Sequence, residues 1–223
     1  MSDAATHGPV VGFDLDLTLV DSRPGIKASL QALAAESGRP IDADDVVSKL
    51  GPPISGELAR WFAADEVDAA LATFRGYMAQ FGAAEAVALP GAHEALAAVH
   101  ASGGRCLVVT AKHEPLARIT LGACGLDVDD VVGGAWAAQK GDALKAAGAA
   151  VYVGDNPSDV LGARVAEATA VLVRTSLHIG ALTETELQAA GPDVVLDDLH
   201  AFVPWWQAHP DGVGPDVAVT GMR

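Results

Sequence analysis

Cysteine is nearly absent from this chain, with only Cys106 and Cys124 in 223 residues. Neither has a Cys or His partner at zinc-ligand spacing, and Cys106 lies inside an apolar run. Both read as structural reduced thiols, which argues against a disulfide framework and a zinc site. Basic residues are scarce as well: 14 Lys and Arg stand against 29 Asp and Glu, for a formal net charge of −15. A field of that sign repels polyanions, so neither nucleic acid nor an anionic membrane is an expected partner, and any phosphate site needs local cations. Aromatic residues are only 5% of a chain that is half apolar, so the core must be mostly Ala, Val and Leu. No run approaches the roughly 20 apolar residues of a membrane span. Residues 1–8 lack a basic segment followed by an apolar one, so the expected location is the cytoplasm. Oligomeric state is not legible here.

What is present begins near the N-terminus. Pro9-Val10-Val11-Gly12-Phe13 reads as a buried strand, and Asp14 and Asp16 stand where it should end. In an extended chain residues i and i+2 project to the same side. Two carboxylates so placed repel, which raises the pKa of one of them unless a cation or a donor intervenes.

The next stretch, about 23–88, has helical spacing. Ile26, Leu30 and Leu33 mark one helix, ended by Gly38-Arg39-Pro40. A segment around Asp42 to Lys49 leads into the turn Gly51-Pro52-Pro53, after which Leu58, Trp61 and Phe62 resume a helical face. Val67, Leu71, Phe74, Met78 and Phe81 mark an amphipathic helix. No strand is expected in this segment, which reads as an all-α insertion.

From Pro90-Gly91 onward, helices alternate with short apolar strands at 106–109, 131–132, 151–153, 170–173 and 194–196. Thr183 and Glu186 form a capping box. Such alternation implies a parallel sheet covered on both faces. The expected architecture is α/β: a doubly wound, Rossmann-like core from residues 1–22 and 89–223, with a helical insert over 23–88. Residues after about 207 read as a frayed tail, with Trp205-Trp206 pinning the last helix to the core.

In a doubly wound sheet the carboxyl ends of the strands open onto one crevice. The residues just past the strands are Asp14 and Asp16, then Thr110, then Asp155 with Asp159 one helical turn on. Lys140 is placed in the loop before the 151–153 strand. Singly, each has an ordinary explanation as a cap, a turn residue or a solvated charge. Jointly they form a carboxylate cluster that a divalent cation would make tolerable, and hard oxygen ligands favour Mg²⁺ over zinc.

The order and spacing of these residues resemble the haloacid dehalogenase superfamily. Asp14-Leu15-Asp16-Leu17-Thr18 is similar to its first motif, Thr110 to its second, Lys140 to its third and Gly154-Asp155-Asn156-Pro157-Ser158-Asp159 to its fourth. The insert resembles its C1-type helical cap. The resemblance departs at Leu17, usually glycine, which implies a turn that avoids a glycine-only conformation. It departs again at Ala111, often Asn or Ser.

The resemblance implies a Mg²⁺-dependent phosphatase acting on a small phosphorylated metabolite. Asp14 would be nucleophile and metal ligand, and Asp16 general acid–base with its carbonyl on the metal. Asp155 would be a ligand, and Asp159 would hold metal-bound water or Lys140. Thr110 and Lys140 would bind the phosphoryl oxygens. Lys49-Leu50-Gly51-Pro52-Pro53-Ile54 resembles the phosphoglycolate phosphatase-like branch, and Lys49, Arg60 or Arg75 could meet a substrate carboxylate, though solvated surface charge is the simpler reading of each. His113 could line the pocket or the surface. A sugar-phosphate mutase, a nucleotidase or pyrophosphatase, and a catalytically idle binding protein remain alternatives.

Overall fold

In the computed structural model, which describes residues 8–210 and 212, the chain opens with strand β1 (Val10–Phe13). A turn leads into the short strand β2 (Val20–Asp21), and four helices follow: α1 (Arg23–Ser37), α2 (Ala43–Val47), α3 (Ile54–Leu58) and α4 (Val67–Gln80). A 3-10 turn at Gly82–Glu85 and strand β3 (Val87–Ala88) close that segment. Next come α5 (Ala92–Ala101), β4 (Arg105–Val109), α6 (Glu114–Ala123), β5 (Asp130–Val132), α7 (Ala138–Ala147) and β6 (Ala149–Gly154). The chain continues through α8 (Pro157–Ala166), β7 (Thr169–Val173), α9 (Thr175–His178), α10 (Glu184–Ala190), β8 (Val194–Leu196) and α11 (Leu199–Ala208).

Local chemistry explains the element ends. Pro24 occupies the first turn of α1, where its missing N–H costs nothing, and Gly38 closes the helix in the left-handed region at φ 66°. The capping box expected at Thr183 and Glu186 is formed, and a second joins Asn156 to Asp159 at the start of α8.

Six strands form one parallel sheet in the order β5-β4-β1-β6-β7-β8. β1 lies between β4 and β6, with Phe13 level with Val108 on one side and Val153 on the other. The chain builds outward from β1 first one way and then the other, so the carboxyl ends of β4, β1 and β6 meet at the switch point where such sheets bind ligands.

Apolar clusters fill both faces of the sheet. One contains Phe13, Val108, Val153 and Phe202; the other contains Leu144, Tyr152 and Val160. Trp206 is fully buried, stacks on Phe202 and donates its indole N–H to Ser102 Oγ at 3.1 Å, which docks α11 as Trp205-Trp206 predicts. The expected tail begins within this helix, which runs to Ala208, and most of it lies outside the described residues. A third cluster, with Ile26, Leu30, Phe74 and Met78, holds the helical segment together.

Three sequence expectations need correction in this frame. Val87–Ala88 is a strand, not helix: it pairs antiparallel with β2, Val20 opposite Ala88, and so ties together the two ends of the helical segment. Trp61 and Phe62 follow α3 in a turn instead of continuing a helical face. Lys140 is not in a loop but in the first turn of α7.

Cys106 is buried and Cys124 partly so, both unpaired. The Cys106 Sγ lies near His100, six residues before it, and near Asp129, which is distant in sequence. Burial pushes this thiol up to about 12, and it donates to the Leu96 carbonyl, while Asp129 accepts from the Cys106 N–H and pairs with His100. Among the described residues, no helix is long and apolar enough to cross a membrane.

Candidate active site

The site starts where the β1 ladder runs out. The Asp14 N–H still donates to the Val153 carbonyl at 2.8 Å, which extends the sheet by one rung and fixes the Asp14 backbone against β6. From there the chain turns tightly: the N–H groups of Leu19 and Val20 both donate to the Leu15 carbonyl, at 2.9 and 3.0 Å. Leu17 sits in that turn at φ 64°, against the expectation that a non-glycine residue would avoid such a conformation. Its side chain is 1% exposed, so burial offsets the roughly 1–2 kcal/mol that a left-handed residue costs.

Lys140 reaches this strand end from α7. A Cβ on Gly141 would lie 2.3 Å from Val165 Cβ, so glycine is what lets α7 pack against α8 closely enough to bring Lys140 to Asp159. Gly154 has a similar duty at the end of β6, where an added Cβ would meet the Asp159 carboxyl at 2.3 Å.

The result is a buried charge cluster. Lys140 Nζ lies 3.0 Å from Asp14 Oδ2 and 2.7 Å from Asp159 Oδ1. Asp159 Oδ2 accepts the N–H groups of Asp155 and Asn156 at 3.1 and 3.0 Å. Asp155 accepts hydroxyl bonds from Thr18, at 3.1 Å, and from Ser176. Asp16 stands nearer the solvent, its Oδ1 taken by Ser22 Oγ at 2.5 Å and by Lys112 Nζ at 2.6 Å. Thr110 is buried at the end of β4 and lines the same cavity as Asp14 and Asp16.

Burial dominates the electrostatics. It raises Asp14 to about 6 against the pull of Lys140, and the Asp159 and Asp16 charges add to the rise. Asp155 is raised strongly by burial and by Asp159 and Asp14. For Lys140 burial acts the other way, but the Asp14 and Asp159 carboxylates overcome it and hold the ammonium charged. Tyr152 hydrogen-bonds to the Val109 carbonyl at 2.8 Å and approaches Asp159 at 3.4 Å, its phenol kept protonated by burial and the surrounding carboxylates.

Asp14, Asp155 and Asp159 each offer a carboxylate oxygen within 4.8 Å of the others. One ammonium cannot balance three buried carboxylates, so the cluster suits a further cation, and an all-oxygen donor set is the kind hard divalent ions take.

All six residues expected at the strand ends therefore lie in or beside this crevice. Of the cap cations, Arg75 lines the cavity while Lys49 and Arg60 do not; His113 lines it too. Sequence reasoning assigned no role to Thr18, Ser176, Tyr152 or Lys112. Ser176 follows the end of β7, so extending the strand-end inspection by one strand finds it. Lys112 follows Thr110 by two residues. Tyr152 has no sequence signal that separates it from an ordinary core aromatic.

The sequence matches the profile of haloacid dehalogenase-like hydrolases over residues 11–164, and a second profile, described as HAD-hydrolase-like, over residues 135–202. It is 32% identical to a phosphoglycolate phosphatase of Caulobacter vibrioides over 219 residues, covering 88% of this chain and 89% of the relative. It is 34% identical to a phosphoglycolate phosphatase of Rhodospirillum rubrum over 218 residues, covering 86% and 88%. Among solved structures, a haloacid dehalogenase-like hydrolase from Streptococcus pneumoniae superposes with a TM-score of 0.76 at 23% identity, over 91% of this chain and 100% of that one. A hydrolase from Pseudomonas syringae gives 0.69 at 21% identity, over 90% and 98%. With the parallel sheet, the ordered strand-end residues and the profile match in agreement, the chain belongs to the haloacid dehalogenase-like hydrolases.

Proposed function

We propose that this protein is a Mg²⁺-dependent cytoplasmic phosphatase that hydrolyses a short phosphorylated acid of the phosphoglycolate type. One observation carries the reading: Asp14 lies on the wall of the cavity, with the buried Lys140 ammonium 3.0 Å behind it. That arrangement leaves a carboxylate facing a ligand space while its cation stays fixed. The full-length similarity to phosphoglycolate phosphatases supports the substrate class.

Phosphoryl transfer requires positioning and charge stabilisation above all. Asp14 attacks phosphorus, a P–O bond forms to its carboxylate, and the bond to the leaving oxygen breaks. Asp16 gives its proton to that oxygen, then takes one from the water that attacks the aspartyl-phosphate and restores Asp14. Lys112 and Ser22 both occupy Oδ1 of Asp16, which leaves Oδ2 for the proton transfers. Thr110, on the cavity wall, holds a phosphoryl oxygen, and Lys140 offsets the charge of the transferring group from its place beside Asp14 Oδ2. Asp14, Asp155 and the Asp16 carbonyl would hold Mg²⁺, with Asp159 supporting from behind through Lys140. The ion would supply positive charge to the transferring group. The helical segment over 23–88 serves as a lid that excludes water.

The test is phosphate release from a phosphomonoester panel, with and without EDTA, in wild type and Asp14→Asn. Release that EDTA stops and Asp14→Asn abolishes is the expected result. Undiminished turnover by Asp14→Asn removes Asp14 as nucleophile, and no release across the panel favours a binding protein.

A further inference from the structure

The cavity between the strand ends and the helical segment has two unlike walls. The core wall carries the Asp14, Asp16, Thr110 and Lys112 side chains; the opposite wall is apolar, with Ile54, Leu71, Phe74 and Met78, and holds one cation, Arg75. The other cap cations considered for this role are neutralised elsewhere. Lys49 pairs with Asp45 at 2.5 Å, and Arg60 pairs with Asp45 and Glu57 at 2.7 and 2.8 Å and lies over the Trp61 ring.

Arg75 is half-buried, as are Arg23 and Arg174. Those two have carboxylate partners in Asp21 and Glu184, whereas Arg75 has no ion pair among the described residues. A half-buried arginine on an apolar wall, with no ion-pair partner among the described residues, favours an anion supplied by the ligand. The cavity, about 110 Å³, is small, which favours a short ligand. The lysine that lines the core wall, Lys112, is already committed to Asp16 at 2.6 Å. A single planar fork with no second cation suits a carboxylate, which it binds in bidentate fashion, better than a second phosphate dianion.

We infer that Arg75 selects the substrate by pairing with a carboxylate at the end opposite the phosphoryl group. The inference deepens the phosphatase reading and rests on it for the orientation of the substrate: phosphoryl group on the Asp14 side, carboxylate on the α4 side.

The experiment compares phosphoglycolate with ethyl phosphate, which has the same two-carbon chain but no carboxylate, in wild type, Arg75→Gln and Arg75→Lys. Losing one charge-assisted pair should raise KM for phosphoglycolate in Arg75→Gln by roughly 10- to 100-fold. The kcat for phosphoglycolate and all constants for ethyl phosphate should change little, and Arg75→Lys should recover part of the loss. Ethyl phosphate turnover also reports that the variants are folded. A parallel arm measures calorimetric binding of both compounds to Asp14→Asn, with and without Arg75→Gln. An Arg75-dependent preference for phosphoglycolate in that arm supports the inference even if wild type releases no phosphate, an outcome that sinks the phosphatase reading alone. Equal losses for both compounds, or no loss for either, overturn it.

Discussion

The Lys140 ammonium lies 3.0 Å from Asp14 Oδ2 with its side chain only 1% exposed, so the charge opposite the proposed nucleophile is almost sealed from water. A lysine so placed cannot be screened by solvent or replaced by a mobile ion. It is also the only ammonium in direct contact with the Asp14, Asp155 and Asp159 cluster among the described residues.

Lys140→Met should therefore do two separate things. It should lower kcat by about 10²- to 10³-fold, the usual loss for a fixed donor at a developing charge. It should also lower metal-free stability by about 3 kcal/mol, because the buried carboxylates lose their counter-charge. Urea denaturation with and without Mg²⁺ reads the second effect, and added metal should restore part of it. Unchanged stability in EDTA contradicts the account of the cluster.

Lys112 holds Asp16 Oδ1 at 2.6 Å and is almost as buried, with its side chain 6% exposed. If it orients the acid, Lys112→Met should harm substrates in proportion to their need for protonation. An alkyl phosphate, whose leaving alkoxide needs a proton, should lose roughly 10²-fold in kcat, and an aryl phosphate with a stable phenolate much less. A uniform loss for both assigns Lys112 to phosphate binding instead.

The raised carboxylates make stability depend on pH and metal together. Asp14 titrates near 6 in the folded protein against 3.8 unfolded, and Asp155 is shifted the same way. A folded pKa above the unfolded one favours folding while the folded group stays protonated, and that advantage is lost as pH rises through about 6. Metal-free protein should thus lose this contribution between about pH 4 and 6, and the ion should offset it best when the carboxylates are ionised. The rise in Tm on adding millimolar Mg²⁺ should be several degrees at about pH 7.5 and near zero at about pH 5. An equal rise at both pH values would contradict the assignment of Asp14 and Asp155 as ligands.

Leu17 combines a left-handed backbone with a buried side chain. Leu17→Gly relieves about 1–2 kcal/mol of backbone strain. It also removes a buried side chain, and truncations of that kind cost about 2–5 kcal/mol. Burial should win, with a net destabilisation of about 2 kcal/mol by chemical denaturation. A stabilised Leu17→Gly variant would show that the turn, not the packing, sets the balance.

The core fold was legible because its signals are local. Buried strands in this family of sheets are short apolar runs, and their ends are marked by the first polar residue, as at Phe13-Asp14, Val109-Thr110 and Gly154-Asp155. The capping box at Thr183 and Glu186 is likewise readable within four residues. The β2–β3 pairing was not, because two-residue strands 67 positions apart leave no periodicity to detect. Lys140 was found by spacing and misplaced in a loop, since a first helical turn begun at Ala138 without a side-chain cap carries no start signal.

By itself the sequence determined the sheet, the order of its strand-end residues and, through their resemblance to a known pattern, the kind of reaction. Tertiary structure decided which cation faces which carboxylate. Lys140 meets Asp14, Lys112 holds Asp16, and Arg75 alone among the three cap cations considered lines the cavity. Lys145, Lys49 and Arg60 are absorbed by surface carboxylates. The reason is that an ion pair depends on distance and burial in three dimensions, and neither follows from separation along the chain: Lys112 and Asp16 are 96 residues apart and 2.6 Å from contact to contact.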